Sequence, residues 1–298
     1  MLEITSINKS YKSLKAVDEL SLKFSHGKIY GLLGPNGAGK TTTIRIILNI
    51  IKADSGEIRY NGNSTDESFQ NIVGYLPEER GLYKKSKVKD ILSYFAKLKG
   101  LPSNRVSEKI DYWLTRLEIE KYKNSKLETL SKGNQQKVQF ITSIIHDPKI
   151  LILDEPFSGF DPMNQQTVKD VLHEFIKEGK IIIISTHLME VAETLCSEIV
   201  LINKGKLLIS ENLSVLKSNE SDGLFEVHFE EVIESNITAI NFEIIENLNK
   251  KILLKKNRNL SNAILINELN NFGNIISFKK VVPTLNEIFM NMVKGTEN

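Results

Sequence analysis

The sequence predicts an α/β fold whose core is a mainly parallel sheet with helices on both faces. Three apolar runs end in polar turns: KIYGLL before Gly34, KILILD ending at Asp154 and KIIIIST ending at Thr186. Continuous apolar strands of this kind are typical of a buried parallel sheet. Segments of helical periodicity, TTTIRIILNII and QQTVKDVLHEFIKEG, lie between them. The alternation of the two patterns is what favours an α/β core.

Other patterns precede and interrupt this core. The segments LEITSINKSYK, AVDELSLKF and SGEIRYNGN, the last with a turn at Asn61 and Gly62, predict a small antiparallel β subdomain. Between about residues 82 and 146 the pattern becomes mostly helical, which predicts a helical subdomain. One apolar helix face there is formed by Ile91, Leu92, Phe95 and Leu98.

The last part of the chain has its own pattern. After about residue 220, the strand-like segments LFEVHFE, NFEIIEN, KKILLKKN and IISFKK alternate with helical segments near ILINELNNF and from Thr284 onward. This mixture predicts a C-terminal α+β domain. The polar segment LKSNESDG shows no apolar periodicity and marks the boundary. The predicted domains are therefore residues 1–218 and 219–298.

Composition and charge limit the classes of function. The 39 basic and 37 acidic side chains nearly cancel, giving a net charge of +2, so nothing indicates a nucleic-acid partner. The apolar runs are much shorter than the about 20 residues that a membrane-spanning helix needs. The N-terminal segment MLEITSINKS does not resemble a secretory signal, and the single cysteine, Cys196, excludes an internal disulfide. We therefore expect a cytoplasmic protein.

A glycine-rich loop joins the first apolar strand to a helix that begins with threonines. Such a loop turns its backbone N–H groups toward one concavity, and the positive end of the helix faces the same point, so the arrangement favours phosphate binding. Lys40 adds a charge for the terminal phosphates, and the Thr41 hydroxyl is a candidate ligand of Mg²⁺. An accidental glycine-rich turn is the alternative. The candidate ATP-binding residues of this segment are Gly34, Pro35, Asn36, Gly37, Ala38, Gly39, Lys40, Thr41 and Thr42.

Two adjacent carboxylates, Asp154 and Glu155, follow the second apolar strand. Since the carboxyl ends of parallel strands meet at one sheet edge, they are expected beside the glycine-rich loop. Asp154 would hold Mg²⁺, and Glu155 would orient or deprotonate the water that attacks the γ-phosphate. A solvated acidic turn without chemistry is the alternative.

The segment LSKGNQQK, from Leu130 to Lys137, lies shortly before the KILILDEP strand and resembles the signature sequence of ATP-binding cassette (ABC) ATPases. With all motifs in order, the resemblance covers residues 1 to about 215. It implies a P-loop NTPase core that hydrolyses ATP with Mg²⁺. It also implies a head-to-tail dimer in which each site combines the phosphate loop of one subunit with the signature of the other.

The resemblance assigns further residues to the site. Tyr11 matches the position that stacks on adenine, and His187 matches the switch residue at the γ-phosphate. Asp161 matches the loop that couples the two sites of the dimer. The signature contacts fall on Ser131, Gly133 and Gln135. Each residue also has an ordinary structural interpretation; Ser131, for instance, is placed to cap the next helix whatever its function.

The chain departs from the family pattern in the loop after GYLP and within the signature. Glu78 and Glu79 follow Pro77, where glutamine is commonest, so Glu78 is predicted as a Mg²⁺ contact that adds negative charge beside the phosphates. The signature has Lys132 and Asn134 in place of the common glycine and glutamine.

The run GYLPEERGLY and the C-terminal unit resemble the branch of ABC ATPases that serve sodium and drug exporters. That branch implies a separate integral membrane permease, a second ATP-binding subunit in a homodimer, and a position at the cytoplasmic face of the membrane. A soluble ABC ATPase that is not coupled to transport is an alternative. A regulatory module that binds ATP but barely hydrolyses it is another. The C-terminal unit would serve dimer stabilisation or regulation equally well.

Overall fold

The computed structural model describes residues 1–79, 81–158, 162–231, 241–257 and 260–295. The chain divides into two compact units, Met1–Glu211 and Asn212–Asn298. The polar segment LKSNESDG, which suggested a boundary after residue 218, lies within the second unit, and its first five residues belong to a helix, Leu213–Glu220. Asn212 caps this helix, because its side-chain oxygen accepts hydrogen bonds from Ser214 N and Val215 N.

The first unit contains ten strands and six α-helices within its described residues. The strands are β1 Leu2–Tyr11, β2 Leu14–Phe24, β3 Lys28–Leu33, β4 Ser55–Tyr60, β5 Asn63–Ser64, β6 Val73–Leu76, β7 Ile150–Asp154, β8 Ile181–Ser185, β9 Glu198–Asn203 and β10 Lys206–Asn212. The helices are α1 Lys40–Ile47, α2 Val88–Leu98, α3 Ser103–Arg116, α4 Lys132–Ile144, α5 Pro162–Lys177 and α6 Met189–Leu195.

The central sheet has six strands in the order β10-β9-β3-β8-β7-β6. Strand β3 pairs in parallel with β8 and β9, and β7 pairs in parallel with β6 and β8. Strands β7 and β8 are buried along their whole length, as the continuous apolar runs predicted. The register sets Asp154 opposite Ser185, and Ser185 opposite Leu32. The ends of three strands therefore meet at one edge.

A second sheet, in the order β2-β1-β4-β5, is antiparallel and confirms the predicted β subdomain. Its inner face carries Leu2, Leu22 and Phe24, which join one buried cluster with Leu32 of β3 and Ile44 of α1. This shared cluster fixes the antiparallel sheet against the phosphate-loop helix.

Helices α2, α3 and α4 form the predicted helical subdomain between β6 and β7. In α2, Ile91 and Leu92 are buried as expected, whereas Leu98 is 60% exposed. Val88 and Ala96 are the additional buried residues of α2. Leu98 is the last residue of α2, so helical periodicity overestimated the length of the buried face.

The second unit contains β11 Leu224–Phe229, β12 Phe242–Leu248, β13 Lys251–Lys256 and β14 Ile275–Lys280, with α7 Leu213–Glu220, α8 Asn262–Leu269 and α9 Leu285–Gly295. The strands form an antiparallel sheet in the order β12-β13-β11-β14. Its core packs Val227 and Leu254 of the sheet against Leu265 of α8. This arrangement is the predicted α+β fold. Across the described part of the whole chain, no helix is both long and apolar enough to span a membrane.

The packing of α4 on β6 gives a stability prediction. A Cβ atom on Gly74 would lie 2.1 Å from the carbonyl oxygen of Ser143, so Gly74→Ala must push the helix and strand apart. Overpacking of this kind costs about 1–3 kcal/mol, and we expect a fall of that size in the free energy of unfolding. Urea unfolding followed by the fluorescence of Trp113, the single tryptophan, measures it.

Gly81→Ala is the matched control, because a Cβ there would have no atom of the described residues within 4 Å. We expect the control to stay within about 0.5 kcal/mol of the parent chain. Equal stability of the two variants would contradict the close contact between α4 and β6.

Candidate functional site

The phosphate loop joins the end of β3 to the start of α1, and two of its glycines have no room for a side chain. Gly39 has φ +104°, and a Cβ there would lie 2.4 Å from the carbonyl oxygen of Ala16. At Gly34, a Cβ would lie 2.2 Å from the carbonyl oxygen of Ile202. The loop is also tied to the turn after β9, since Gly205 N donates to Ala38 O at 2.9 Å. These contacts fix the loop's backbone.

The backbone N–H groups of this loop are disposed for an anion. Thr43 N donates to Gly39 O at 2.9 Å and closes the first turn of α1. The amides of Lys40, Thr41 and Thr42 precede that bond, and amides at the start of a helix have no intrahelical acceptor. Together with the positive end of the helix, they suit a phosphate group. The predicted phosphate-binding segment therefore has a backbone geometry that phosphate binding would require.

Lys40 lies inside the curve of the loop. Its Nζ donates to Gly34 O at 2.7 Å and to Pro35 O at 3.1 Å. Burial lowers the pKa of Lys40, while the carboxylates of Glu155, Asp154 and Glu78 oppose this by favouring the charged form. Lys40 is therefore close enough to all three acidic groups to feel their charge. A bound phosphate would supply further negative charge to the same ammonium group.

Asp154 ends β7 and is only 4% exposed. Burial raises the pKa of its carboxyl group, and the negative charges of Glu78 and Glu155 raise it further, while Lys40 lowers it. A carboxyl group whose charged form is disfavoured by burial and by neighbouring carboxylates is typical of a functional site rather than of a solvated turn. It would be favoured in its charged form by a cation bound nearby.

Glu155 is held at both carboxylate oxygens. Thr186 Oγ1 donates to Oε2 at 3.0 Å, and His187 N donates to Oε1 at 2.8 Å. His187 Nδ1 lies 2.6 Å from the same Oε1. The backbone of Glu155 has φ +47°, an uncommon conformation for a residue with a side chain. Such backbone strain persists where surrounding contacts enforce it, often at functional sites.

Thr186 is a site residue that the sequence interpretation missed. It follows β8 directly, is 2% exposed, and also accepts a hydrogen bond from Leu188 N at 3.0 Å. Its position after a buried strand, next to His187, was the available signal. The same position, at the end of β7, identifies Asp154 and Glu155. A threonine carries no charge, so its position alone does not indicate a functional role.

Glu78 lies in the loop after β6 and lines a polar cavity together with Asp154 and Glu155. The carboxylates and the Thr41 hydroxyl are oxygen donors of the kind that Mg²⁺ prefers. In the described part of the chain, no group of three histidine, cysteine, aspartate or glutamate side chains is placed to hold a metal alone. That donor set fits Mg²⁺ bound together with nucleotide phosphates, since Mg²⁺ commonly takes only one or two protein carboxylates.

The predicted residues of the signature segment make their hydrogen bonds locally. Ser131 is the N-cap of α4, where its Oγ accepts from Asn134 N at 3.3 Å. Gln135 Nε2 donates to Leu130 O at 2.9 Å, and a Cβ on Gly133 would lie 3.2 Å from Asn164 Nδ2. The three signature residues thus lie at the N-cap and in the first turn of α4. They are bonded within their own segment rather than to the phosphate loop.

Tyr11 ends β1 and is 46% exposed. The ammonium group of Lys9 lies 5.8 Å from its ring centroid, so the ring already makes a cation–π contact. Its stacking on adenine stays a prediction. Asp161 lies outside the described residues.

Comparisons with known proteins find a family match in each of the two units. A family profile described as "ABC transporter" matches residues 17–158, and one described as "ATP-binding protein DrrA1-3-like, C-terminal domain" matches residues 212–293. The chain is 38% identical to YhaQ of Bacillus subtilis (strain 168), an uncharacterized ABC transporter ATP-binding protein, over 98% of each chain.

Two further relatives each match about two thirds of this chain. MJ1023 of Methanocaldococcus jannaschii, another uncharacterized ABC transporter ATP-binding protein, is 48% identical over 69% of this chain and 75% of its own length. The Nod factor export ATP-binding protein I of Ralstonia nicotianae is 32% identical over 69% of this chain and 65% of its own length.

Solved structures share the fold. The structure of cbiO1 from Clostridium perfringens, part of the ABC transporter complex cbiONQ, superposes with a TM-score of 0.65 at 27% identity, over 74% of this chain and 91% of that one. The dimeric structure of MJ0796, a bacterial ABC transporter cassette, has a TM-score of 0.66 at 22% identity, over 72% and 99%.

The raised pKa of Asp154 gives a prediction about stability and pH. The pKa of Asp154 is higher in the folded state than the ordinary value of 3.8. Its charged form therefore lowers the free energy of unfolding, with the full effect at a pH above the raised pKa and no effect below 3.8. Without nucleotide and Mg²⁺, Asp154→Asn should therefore increase the free energy of unfolding at pH 7, and the gain should shrink as the pH falls to about 4.

Asp54→Asn is the control with the opposite sign. The ammonium group of Lys9, with a smaller contribution from Ser10 N, lowers the pKa of Asp54, so its stabilising effect is present at pH 7 and is lost as the pH falls. Thermal unfolding between pH 4 and pH 7 measures both variants. A destabilised Asp154→Asn variant at pH 7 would contradict the burial cost assigned to this carboxylate.

Proposed function

The chain belongs to the family of ABC transporter ATP-binding subunits, which hydrolyse ATP, and we propose that it drives export of a substrate through a separate integral membrane permease. The observation that carries the catalytic part is the carboxylate of Glu155, held at both oxygens beside Asp154 and close to Lys40. The export part is supported by relatives and by sequence features.

In the proposed reaction, Glu155 accepts a proton from the attacking water or orients that water toward the γ-phosphate. Thr186 and His187 keep its carboxylate in one orientation, so little reorganisation is needed at the moment of reaction. The phosphate-loop amides and Lys40 bind the negative charge of the phosphates. His187, whose side chain is 64% exposed, is placed to exchange its contact with Glu155 for one with the γ-phosphate.

Mg²⁺ would be held by Thr41 and Asp154, with Glu78 as a further contact, and it would supply charge neutralisation at the phosphate oxygens. Glu78 has a second effect, because its charge lies near both Lys40 and Asp154. A carboxylate at this position should make ATP binding more dependent on Mg²⁺ than a neutral side chain would.

We further propose a homodimer of C2 symmetry. The start of α4, with Ser131 at its N-cap, offers a hydroxyl group and free amides to an anion, but its hydrogen bonds remain within its own segment. A second copy arranged head to tail would bring this surface to the γ-phosphate, with Gly133 and Gln135 beside it. The likeness of fold to a dimeric cassette supports the arrangement.

The permease partner and the direction of transport rest on related proteins. One relative is named for export, and one structural neighbour is part of a transporter complex. The run GYLPEERGLY and the second unit resemble the sodium and drug exporter branch. From these we infer a subunit that binds a permease at the cytoplasmic face of the membrane. ATP binding would close the dimer, and hydrolysis would reopen it.

Replacing Glu155 by glutamine tests the catalytic role. The amide cannot take up a proton, so ATP hydrolysis should fall at least about 100-fold. Nucleotide binding should remain, and the variant should form a stable dimer with ATP that gel filtration detects. Glu190→Gln, which removes a carboxylate from the exposed start of α6, is the control and should hydrolyse ATP at the parent rate. Undiminished hydrolysis by Glu155→Gln would refute the assignment.

Isolation from membranes tests the transport role. An affinity-tagged chain purified from detergent-solubilised membranes should bring down an integral membrane protein, and added ATP should keep the Glu155→Gln variant in the same complex. An unrelated tagged protein sets the background. Recovery with ribosomes instead of a membrane protein would contradict the permease partner and support a soluble ABC ATPase.

A further inference from the structure

Two glutamines of α4 are buried beside the acidic groups of the site and have no part in the mechanism described above. Gln136 is 9% exposed and Gln139 is 6% exposed. A side-chain amide is costly to bury unless it forms hydrogen bonds. What these amides bind is therefore informative.

Gln139 bonds to the loop that carries Glu78. Its Nε2 donates to Pro77 O at 3.3 Å and to Glu79 O at 3.2 Å. One amide group thus holds the backbone on both sides of Glu78. Glu78 and Glu79 are exposed, so the packing of their own side chains does little to fix this loop.

Gln136 bonds to the segment that follows Glu155. Its Nε2 donates to Ser158 O, and both glutamines line the polar cavity that Glu78 and Glu155 also line. Within the described residues, Gln136 Oε1 has no hydrogen-bond partner. Helix α4 therefore contacts both acidic segments of the site through buried amide groups.

We propose that Gln139 is a positioning residue of the ATPase reaction, which fixes the Pro77–Glu79 backbone to α4 and thereby aims Glu78 at the Mg²⁺ and phosphate site. The inference rests on the proposed role of Glu78, and it adds the residue on which that role depends. Because Ser131 caps the start of α4, the same helix joins the signature segment to the subunit's own acidic loop. A shift of α4 would then move Glu78 relative to Asp154 and Lys40.

Gln139→Met tests the proposal, because methionine keeps the length and flexibility of the side chain but cannot donate to the two carbonyls. Small displacements of a group that positions the reaction cost about 10-fold to 100-fold in rate. We expect kcat to fall about 10-fold, and the affinity for Mg²⁺, measured by calorimetric titration with a non-hydrolysable ATP analogue present, to fall several-fold. The KM for ATP should change less, since Lys40 and the phosphate loop are intact. Rates are expressed per nucleotide-binding site, so a partly unfolded sample does not obscure the result.

Gln70→Leu is the matched control. Gln70 Nε2 also donates to a backbone carbonyl, Leu48 O at 3.2 Å, but outside the site. The control should keep the parent kcat and Mg²⁺ affinity. An unchanged kcat and Mg²⁺ affinity in Gln139→Met, or equal losses in Gln70→Leu, would overturn the proposal.

A double-mutant cycle separates positioning of Glu78 from a general structural role. If Gln139 acts through Glu78, Gln139→Met should change kcat by less than about 2-fold in a Glu78→Gln background, because coupled residues are not additive. An effect that persists in full in that background overturns the inference. The proposed function fails on other results, namely undiminished hydrolysis by Glu155→Gln or the lack of a membrane partner, so the two failures are distinguishable.

Discussion

The alignment of β3, β7 and β8 at one edge of the parallel sheet is the constraint on which the site depends. The phosphate loop follows β3, the two acidic residues stand at the end of β7, and Thr186 and His187 follow β8. Parallel hydrogen bonding keeps these strands in register, with Asp154 opposite Ser185. A shift of one residue in either pairing would carry Glu155 away from Thr186. The pairing of the buried strands thus determines the distances between the side chains of the site.

The electrostatics of the site follow from this crowding. Three carboxylates and one lysine face each other where burial disfavours charge, so the pKa of Asp154 is raised and that of Lys40 is lowered. Both shifts oppose the charged forms that the reaction needs. Phosphate oxygens would stabilise the ammonium group, and a divalent cation would stabilise the carboxylates. In the free subunit these charged groups lack the stabilisation that the phosphates of ATP and Mg²⁺ would provide.

The sequence was enough to predict those features of the fold that depend on a short segment of the chain. Continuous apolar strands required burial on both faces, and Gly34 and Gly39 required close backbone approach. Ser131 required only the start of a helix to act as a cap. The contacts of Thr186 and Gln139 could not be predicted in this way, since each depends on a segment distant in the chain. The polar segment LKSNESDG resembled a linker because this short, capped and mostly exposed helix, like a loop, has no apolar periodicity.

Helix α4 is the element that gives one subunit two roles. In the proposed dimer, Ser131 at its N-cap would face a second copy, whereas its third turn holds the loop of the subunit's own Glu78 through Gln139. A rigid helix transmits displacement along its axis with little loss, because its backbone hydrogen bonds resist deformation. Engagement of the signature by a partner's nucleotide would therefore be felt at the acidic loop of the opposite site. In the proposed dimer, the position of Glu78 would therefore depend on whether the two subunits have closed around their nucleotides.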